Sequence, residues 1–276
     1  MKIAILGTRG IPNHYSGFEQ FAEFFSVFLV EKGHDVYVYN SHDHLYQEKT
    51  FHGVNIIHQY DPEYKLGTFG QFIYDYNCIM DSRKRDFDII LQLGYTSNSI
   101  WYFLLPKKPI IITNMDGLEW KRSKYSKPVQ QFLRFAERLA VKSSDFLISD
   151  SLGIQKYIDG KYNVSSTYIA YGAKIFKTPN EEILKEYNVQ KHNYNMIMAR
   201  FEPENNIETI LDGIVLAGNE TTTLVLGNHK TKYGDYLKNK FKSFNSFAKF
   251  MISKCRSSLN SNIGITMEIK PARNLN

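Results

Sequence analysis

The sequence predicts an α/β protein built on doubly wound, Rossmann-like parallel sheet, and three observations predict it. Short apolar runs alternate with stretches whose apolar residues recur at helical spacing, beginning at the first residues of the chain. Glycine-bearing polar loops follow the apolar runs. The composition, 43% hydrophobic and 22% charged, is that of a folded globular chain and not of a disordered, collagenous or coiled-coil one. Strands separated by helices must pair in parallel, because a parallel neighbour is reached only through a long crossover. The length of 276 residues predicts about two domains at roughly 150 residues each.

Lys2–Leu6 is a strand that stops at Gly7. Over 17–32, Phe18, Phe21, Ala22, Phe25, Phe28 and Leu29 share a helix face, and Gly33 follows as a C-terminal cap. Asp35 to Tyr39 is the second strand. Strands then read at 54–59, 88–93, 109–113, 146–149 and 167–170, separated by helical stretches at 69–80, 97–105, 128–142 and 152–159. Together, residues 1–175 make one Rossmann-like domain. The polar stretch 171–193, with Pro179 ahead of a short helical segment at 181–187, reads as a linker. A partial second Rossmann-like domain occupies 190–242, with strands at 195–199 and 223–226 and helices at 206–216 and 233–241. From Ser243 the alternation ends, and 243–276 is a divergent basic tail.

The formal charge of +6 invites a nucleic-acid reading until it is located. Residues 1–237 hold 26 Lys and Arg against 27 Asp and Glu, whereas 238–276 hold 8 against one. The excess lies in the tail, which lacks the aromatic interleaving of a strand-binding platform, so no nucleic-acid partner is expected. Two cysteines, Cys78 and Cys255, supply neither a disulfide framework nor a zinc motif and suit a reducing cytoplasm. No apolar run spans a bilayer, and Met1-Lys2 leads into a strand and not a signal peptide. His42, His44, His52 and His58 lack metal-ligand spacing, and no metal is expected.

Ligands of doubly wound sheets bind outside the carboxyl ends of the strands, which singles out three loops. The first holds Gly7, Arg9 and Gly10 and runs to Gly17 and Glu19 at a helix start, where backbone N–H groups and the helix dipole attract phosphate. The same glycines also fit a plain tight turn. The spacing is not GxGxxG, and Tyr39-Asn40-Ser41 lacks the ribose-binding carboxylate, so the dinucleotide reading weakens. The second loop, 113–123, contains Asp116 to accept sugar hydroxyls and Trp120 to face a sugar ring. An Asp116-Gly117 turn and a surface pair of Glu119 with Lys121 or Arg122 are the alternative there. The third, 198–207, offers Arg200 to a diphosphate, or to a salt bridge with Glu202 or Glu204.

The segments MKIAILGTRGIP, YSGFEQFAE, EKGHDVYVY, NMDGLEWKRSKYS, SDSLGIQKYI and ARFEPENNIETI, in this order, resemble bacterial glycosyltransferase family 4 enzymes of the GT-B fold. Within that family they are similar to the branch with a rhamnosyltransferase-like N-terminal domain, associated with capsule and other surface polysaccharides. The resemblance covers residues 1 to about 240. It implies an acceptor-side first domain, a donor-side second domain, a nucleotide diphosphate sugar as substrate, and no metal or other cofactor. It implies a glycan or lipid-linked acceptor and allows peripheral contact with the inner face of the cell membrane.

Carried onto this sequence, the resemblance gives Asp116 the catalytic position at the sugar, and gives Gly7, Arg9, Gly17, Glu19, Glu119, Arg200 and Asn205 donor or acceptor binding. Arg200 would neutralise the donor diphosphate. Ser16-Gly17 replaces the family's Gly-Gly, and Asn205 stands where many members carry a lysine. After Lys240 neither the His- and Gly-rich donor loop nor the glutamate-rich motif has a counterpart. The expectation is a truncated, impaired glycosyltransferase with replacement sequence in its tail. The alternatives are a non-catalytic fragment or a basic-tailed module for anionic lipid or nucleic acid.

Overall fold

The computed structural model describes residues 1–14, 17–122, 124–172, 181–218, 221–242 and, in backbone only, 248–251. Ser16, Pro179, Cys255 and the rest of the expected tail lie outside the described residues. Contacts divide the chain into two units, Met1–Gly172 and Ala173–Asn276.

The first unit is an eight-stranded sheet formed by β1 (Lys2–Leu6), β2 (Asp35–Ser41), β3 (Thr50–Phe51), β4 (Val54–Gln59), β5 (Ile89–Leu93), β6 (Ile110–Asn114), β7 (Phe146–Ser149) and β8 (Thr167–Tyr168). Its order is β3-β4-β2-β1-β5-β6-β7-β8. All neighbours are parallel except β3, which pairs antiparallel with β4. The direction of winding reverses between β1 and β5, so the ligand-binding crevice of a doubly wound sheet opens beside the loops that follow those two strands.

Alternate strand residues feed opposite faces. Ala4, Leu6, Tyr39, Ile57 and Ile90 pack with Tyr74, Cys78 and Ile79 of α3 (Thr68–Ser82). Ile5, Val36, Val38, Ile56 and Leu91 pack under Phe18, Phe21, Ala22 and Phe25 of α1 (Gly17–Glu31). Ile5, Val36 and Val38 have no solvent exposure, and each such side chain contributes roughly 1.5–3 kcal/mol relative to an exposed one. A third cluster joins Tyr95 and Met115 to α4 (Lys127–Ser143) and α5 (Leu152–Tyr162) through Ala136, Ala140 and Ile158.

Two local features depart from the sequence expectation. The helical stretch over 97–105 is wound as a 3-10 helix, Ser99–Leu104. A four-residue α2 (Glu63–Leu66) and the two-residue β3 add elements too short to leave a periodic signal. The turn joining β3 to β4 places His52 and Gly53 at φ 46° and 83°, the positive angles of the favoured two-residue hairpin.

The second unit contains α6 (Glu182–Glu186), β9 (Asn195–Met198), α7 (Ile207–Leu216), β10 (Thr223–Leu226) and α8 (Lys232–Lys240). A further strand, β11 (Ala248–Met251), falls within the segment where the alternation was expected to end. It pairs parallel with β10, which pairs parallel with β9, giving the order β11-β10-β9. Phe201, Ile207, Leu211, Val225, Leu237 and Phe241 form this unit's core.

Candidate functional site

The loop after β1 is fixed against four other segments. Gly7 has φ 84°, and a Cβ there would lie 2.3 Å from the Leu93 carbonyl oxygen, so the chain passes against β5 only without a side chain. Asn40 braces the loop from β2, accepting from the Ile11 N–H at 3.1 Å and donating to the Ile11 carbonyl at 2.8 Å. Glu19, in the first turn of α1 and only 2% exposed, accepts the Arg9 N–H at 2.9 Å and the Thr8 hydroxyl at 3.4 Å. A carboxylate is favoured at a helix N-terminus, and here it anchors the loop wall. Gly17, at the exposed start of the same helix, has nothing within 4 Å of where a Cβ would stand.

Arg9 turns to the loop after β4. Its Nε and Nη2 bond both oxygens of Glu63 at 2.8 and 2.7 Å, and Gln71 Nε2 donates to Glu63 Oε1 at 2.8 Å. Burial alone would raise the Glu63 carboxyl, but these donors outweigh it and hold the group below its usual range. Asp61, whose carboxylate accepts the Glu63 N–H, is raised by burial. Behind them on α3, buried Asp75 accepts from Ser97 of the loop after β5. Burial pushes Asp75 up to about 7, with Ser97 and Arg9 opposing the rise and Asp61 and Glu63 adding to it.

The loop after β6 starts with an Asn turn, in which Asn114 Oδ1 accepts the Asp116 N–H at 3.0 Å. Asp116 sits at φ 51°, a left-handed conformation that Asp tolerates better than most residues. Tyr171, just past β8, stands over this turn. Asn114 Nδ2 reaches its hydroxyl at 3.5 Å, its ring meets Phe21 of α1 edge-on at 5.9 Å, and burial followed by the Asp116 and Asp150 carboxylates raises its phenol. Asp116 and Tyr171 are therefore both held at the Asn114 turn on the carboxyl edge of the sheet.

Further along this loop Glu119 is buried and pairs with Arg122 at 2.8 Å. Trp120, expected against a sugar, is occupied otherwise. Its Nε1 donates to Glu137 at 3.1 Å and Arg134 covers its ring at 4.2 Å. Glu137 has no exposure and also accepts from Tyr157, Tyr162 and Lys161 at 3.0, 2.6 and 2.7 Å, tying the loop to α4 and α5.

In the second unit the loop after β9 carries Arg200, which is exposed. Among the described residues its guanidinium makes no ion pair with Glu202, Glu204 or any other carboxylate. Asn205 Nδ2 donates to the Arg200 carbonyl at 2.7 Å and the Glu202 N–H donates to the same oxygen at 2.8 Å, so the loop is closed by its own atoms. After β10, Gly227 has φ 154°, and a Cβ there would lie 2.2 Å from the Ala199 carbonyl oxygen, bringing this loop hard against the Arg200 loop. Among the described residues no three His, Cys, Asp or Glu side chains group as metal ligands.

Residues 1–174 match the family described as "Domain of unknown function (DUF1972)". The chain belongs to this family. No curated protein matches the DUF1972 chain. Solved structures do match it. Sucrose-phosphate synthase from Thermosynechococcus elongatus superposes with TM-score 0.70 at 13% identity, covering 91% of this chain and 70% of that one. Anabaena HepE in complex with UDP-glucose gives 0.65 at 14% identity, over 91% and 69%. UDP-N-acetylglucosamine 2-epimerase from Rickettsia bellii gives 0.56 at 13% identity, over 91% and 68%. At these identities the likeness establishes the fold, which is GT-B type with a Rossmann-like N-terminal domain.

Glu63, Asp75, Ser97 and Tyr171 were missed by sequence reasoning. Three of the four lie just past strand ends, so the rule that selected the other loops also pointed at β4, β5 and β8. Asp75 lies on a helix and carried no such signal.

Proposed function

We propose that this DUF1972 chain is a glycosyltransferase of family 4 character, moving a sugar from a nucleotide diphosphate sugar to a glycan or lipid-linked acceptor in surface polysaccharide synthesis. Rhamnose is the candidate sugar, on the resemblance to the rhamnosyltransferase-like branch. The observation that carries the reading is Arg200, an exposed guanidinium without a carboxylate partner among the described residues, on a closed loop at the carboxyl end of a parallel strand. A guanidinium in that position binds a diphosphate bidentately and stabilises the charge that develops on it as the glycosidic bond breaks. The UDP-glucose held by HepE, of the same fold, supports the donor class.

On the acceptor side the reading gives Asp116 the sugar, with Tyr171 near it, and gives Gly17, in the loop after β1, a part in substrate binding. Arg9, Glu19 and Glu119 act there through the loops they hold. Asn205, spent on the Arg200 carbonyl, supplies no cation. Incubation with a panel of nucleotide sugars, following sugar release and nucleotide diphosphate formation, tests the reading. Release of the diphosphate from one sugar nucleotide, lost in Arg200→Ala, is expected. Interconversion of the sugar without release would instead make the chain an epimerase.

A further inference from the structure

The near-neutral balance of residues 1–237 conceals a strongly cationic region. Residues 120–144 contain seven Lys and Arg and a single acid, Glu137. That acid is wholly buried beneath four donors, so it presents no charge to solvent along the outer side of α4. Arg134, Arg138 and Lys142 follow one another at four-residue intervals and are all exposed, which sets them in a line along the helix. Among the described residues none of the three has an ion-pair partner. Like charges at this spacing weaken a helix, and although Arg134 stacks on Trp120 and Lys142 on Tyr102, neither contact neutralises the cation.

Large apolar groups stand among these cations. Phe135, adjoining Arg134 and one turn from Arg138, is 54% exposed, and it lines a shallow depression with Arg134, Arg138, Lys161 and Tyr162. Phe103 is 64% exposed on the 3-10 helix packed against α4, next to Tyr102, whose ring lies under the Lys142 ammonium at 5.7 Å. Exposed phenylalanines beside unpaired cations form the two-part surface of an element lying in a lipid headgroup layer.

We propose that this face of α4 docks on an anionic phospholipid bilayer, with Arg134, Arg138 and Lys142 at headgroup phosphates and Phe135 and Phe103 at the acyl boundary. A soluble polyanion would meet only the cations. A bilayer takes both parts of the surface. The face meets the loop after β6 through Arg134 on Trp120, and its test, vesicle binding, does not depend on sugar transfer.

The test is co-sedimentation of the full chain with vesicles of phosphatidylcholine alone and of phosphatidylcholine with roughly one-third phosphatidylglycerol, which supplies the anionic surface. Binding to the anionic vesicles only, weakening with salt, is expected. Arg134→Gln with Arg138→Gln should lower partition about thirtyfold, since each charge near the surface is worth about a factor of five. The doubly Lys-substituted variant should retain binding. Phe135→Ser should lower vesicle partition about tenfold while leaving retention on heparin unchanged. Lys254→Gln with Arg256→Gln, in the basic tail, should change partition less than twofold. Equal binding by the Gln pair and the parent, equal losses of Phe135→Ser on vesicles and heparin, or binding abolished by the tail substitutions alone would overturn the proposal.

Discussion

The loop after β1, together with the side chains that hold it, and the loop after β9 draw on the same parts, an arginine, glutamates and an asparagine brace, and end in opposite electrostatic states. In the first, Asn40 fixes the backbone and Arg9 is clamped bidentately by Glu63. In the second, Asn205 fixes the backbone and Arg200 extends to solvent without a carboxylate partner among the described residues. A cation already matched by a carboxylate contributes to the loop's shape. One left unmatched at a strand's carboxyl end attracts an external anion. Under the proposed function, the first loop is a support and the second captures the donor's anion.

The largest effect is expected where support is most deeply buried. Removing Glu137, as in Glu137→Leu, strands Trp120, Tyr157, Tyr162 and Lys161 and should cost roughly 3–5 kcal/mol in urea unfolding. A cost below about 1 kcal/mol would mean that the loop after β6 does not depend on this hub.

Next comes the pair that defines the contrast. Arg200→Ala should weaken nucleotide-sugar binding by about ten- to a hundredfold, as for a lost charge-assisted contact, with unfolding midpoints unchanged. Arg9→Ala should do the reverse, losing about 1 kcal/mol of stability by releasing a partly exposed pair while donor affinity stays within a few-fold. Exchanged outcomes would dissolve the comparison.

A pH-dependent effect, smaller when reckoned per pH unit, belongs to Asp75. Its folded pKa, about 7, lies above the ordinary 3.8, so the folded state holds a proton that the unfolded chain releases between those values. The stability it contributes is complete below about pH 4 and is lost as pH rises through about 7. Asp75→Asn removes that slope. Denaturation at stepped pH should show the variant gaining on the parent by on the order of 1 kcal/mol per pH unit across this window, and parallel curves would contradict the burial of a protonated carboxyl. The smallest effect is that of Asn205→Ala, about 0.5–1.5 kcal/mol from one lost hydrogen bond, with a modest loss of donor affinity as the Arg200 loop loosens.

Most strands were legible because parallel strands are short apolar runs bounded by glycine and polar loops, as at Lys2–Leu6 and Phe146–Ser149. Two-residue β3 and four-residue α2 were not, being shorter than the period that would reveal them. Strand β11 lies where Ser, Asn and Lys dominate, and its pairing with β10 is a tertiary fact. Arg200 and Asp116 were legible as residues directly after strands. The Arg9 clamp was not, because its glutamate lies 54 residues away and is brought near only by the winding of the sheet. Glu137 carried a signal that composition hides: it shares a helix face with Leu133, Ala136 and Ala140, all buried. A carboxylate on an apolar face needs donors, and four surround it. Summing charge over the long first segment likewise averaged away the cationic side of α4, which emerged once the one acid among seven bases was found to be buried.

Under the proposed function, Arg200 holds a donor diphosphate while Arg9 holds the loop. Thermal unfolding of the intact chain, Arg200→Ala and Arg9→Ala in the presence of a nucleotide-sugar panel tests it most directly, because a ligand that binds only the folded state raises the midpoint. A rise is expected with at least one nucleotide diphosphate sugar for the intact chain and for Arg9→Ala, the latter from a lower starting midpoint, and none for Arg200→Ala. No rise with any nucleotide sugar, or an equal rise in Arg200→Ala, would contradict it.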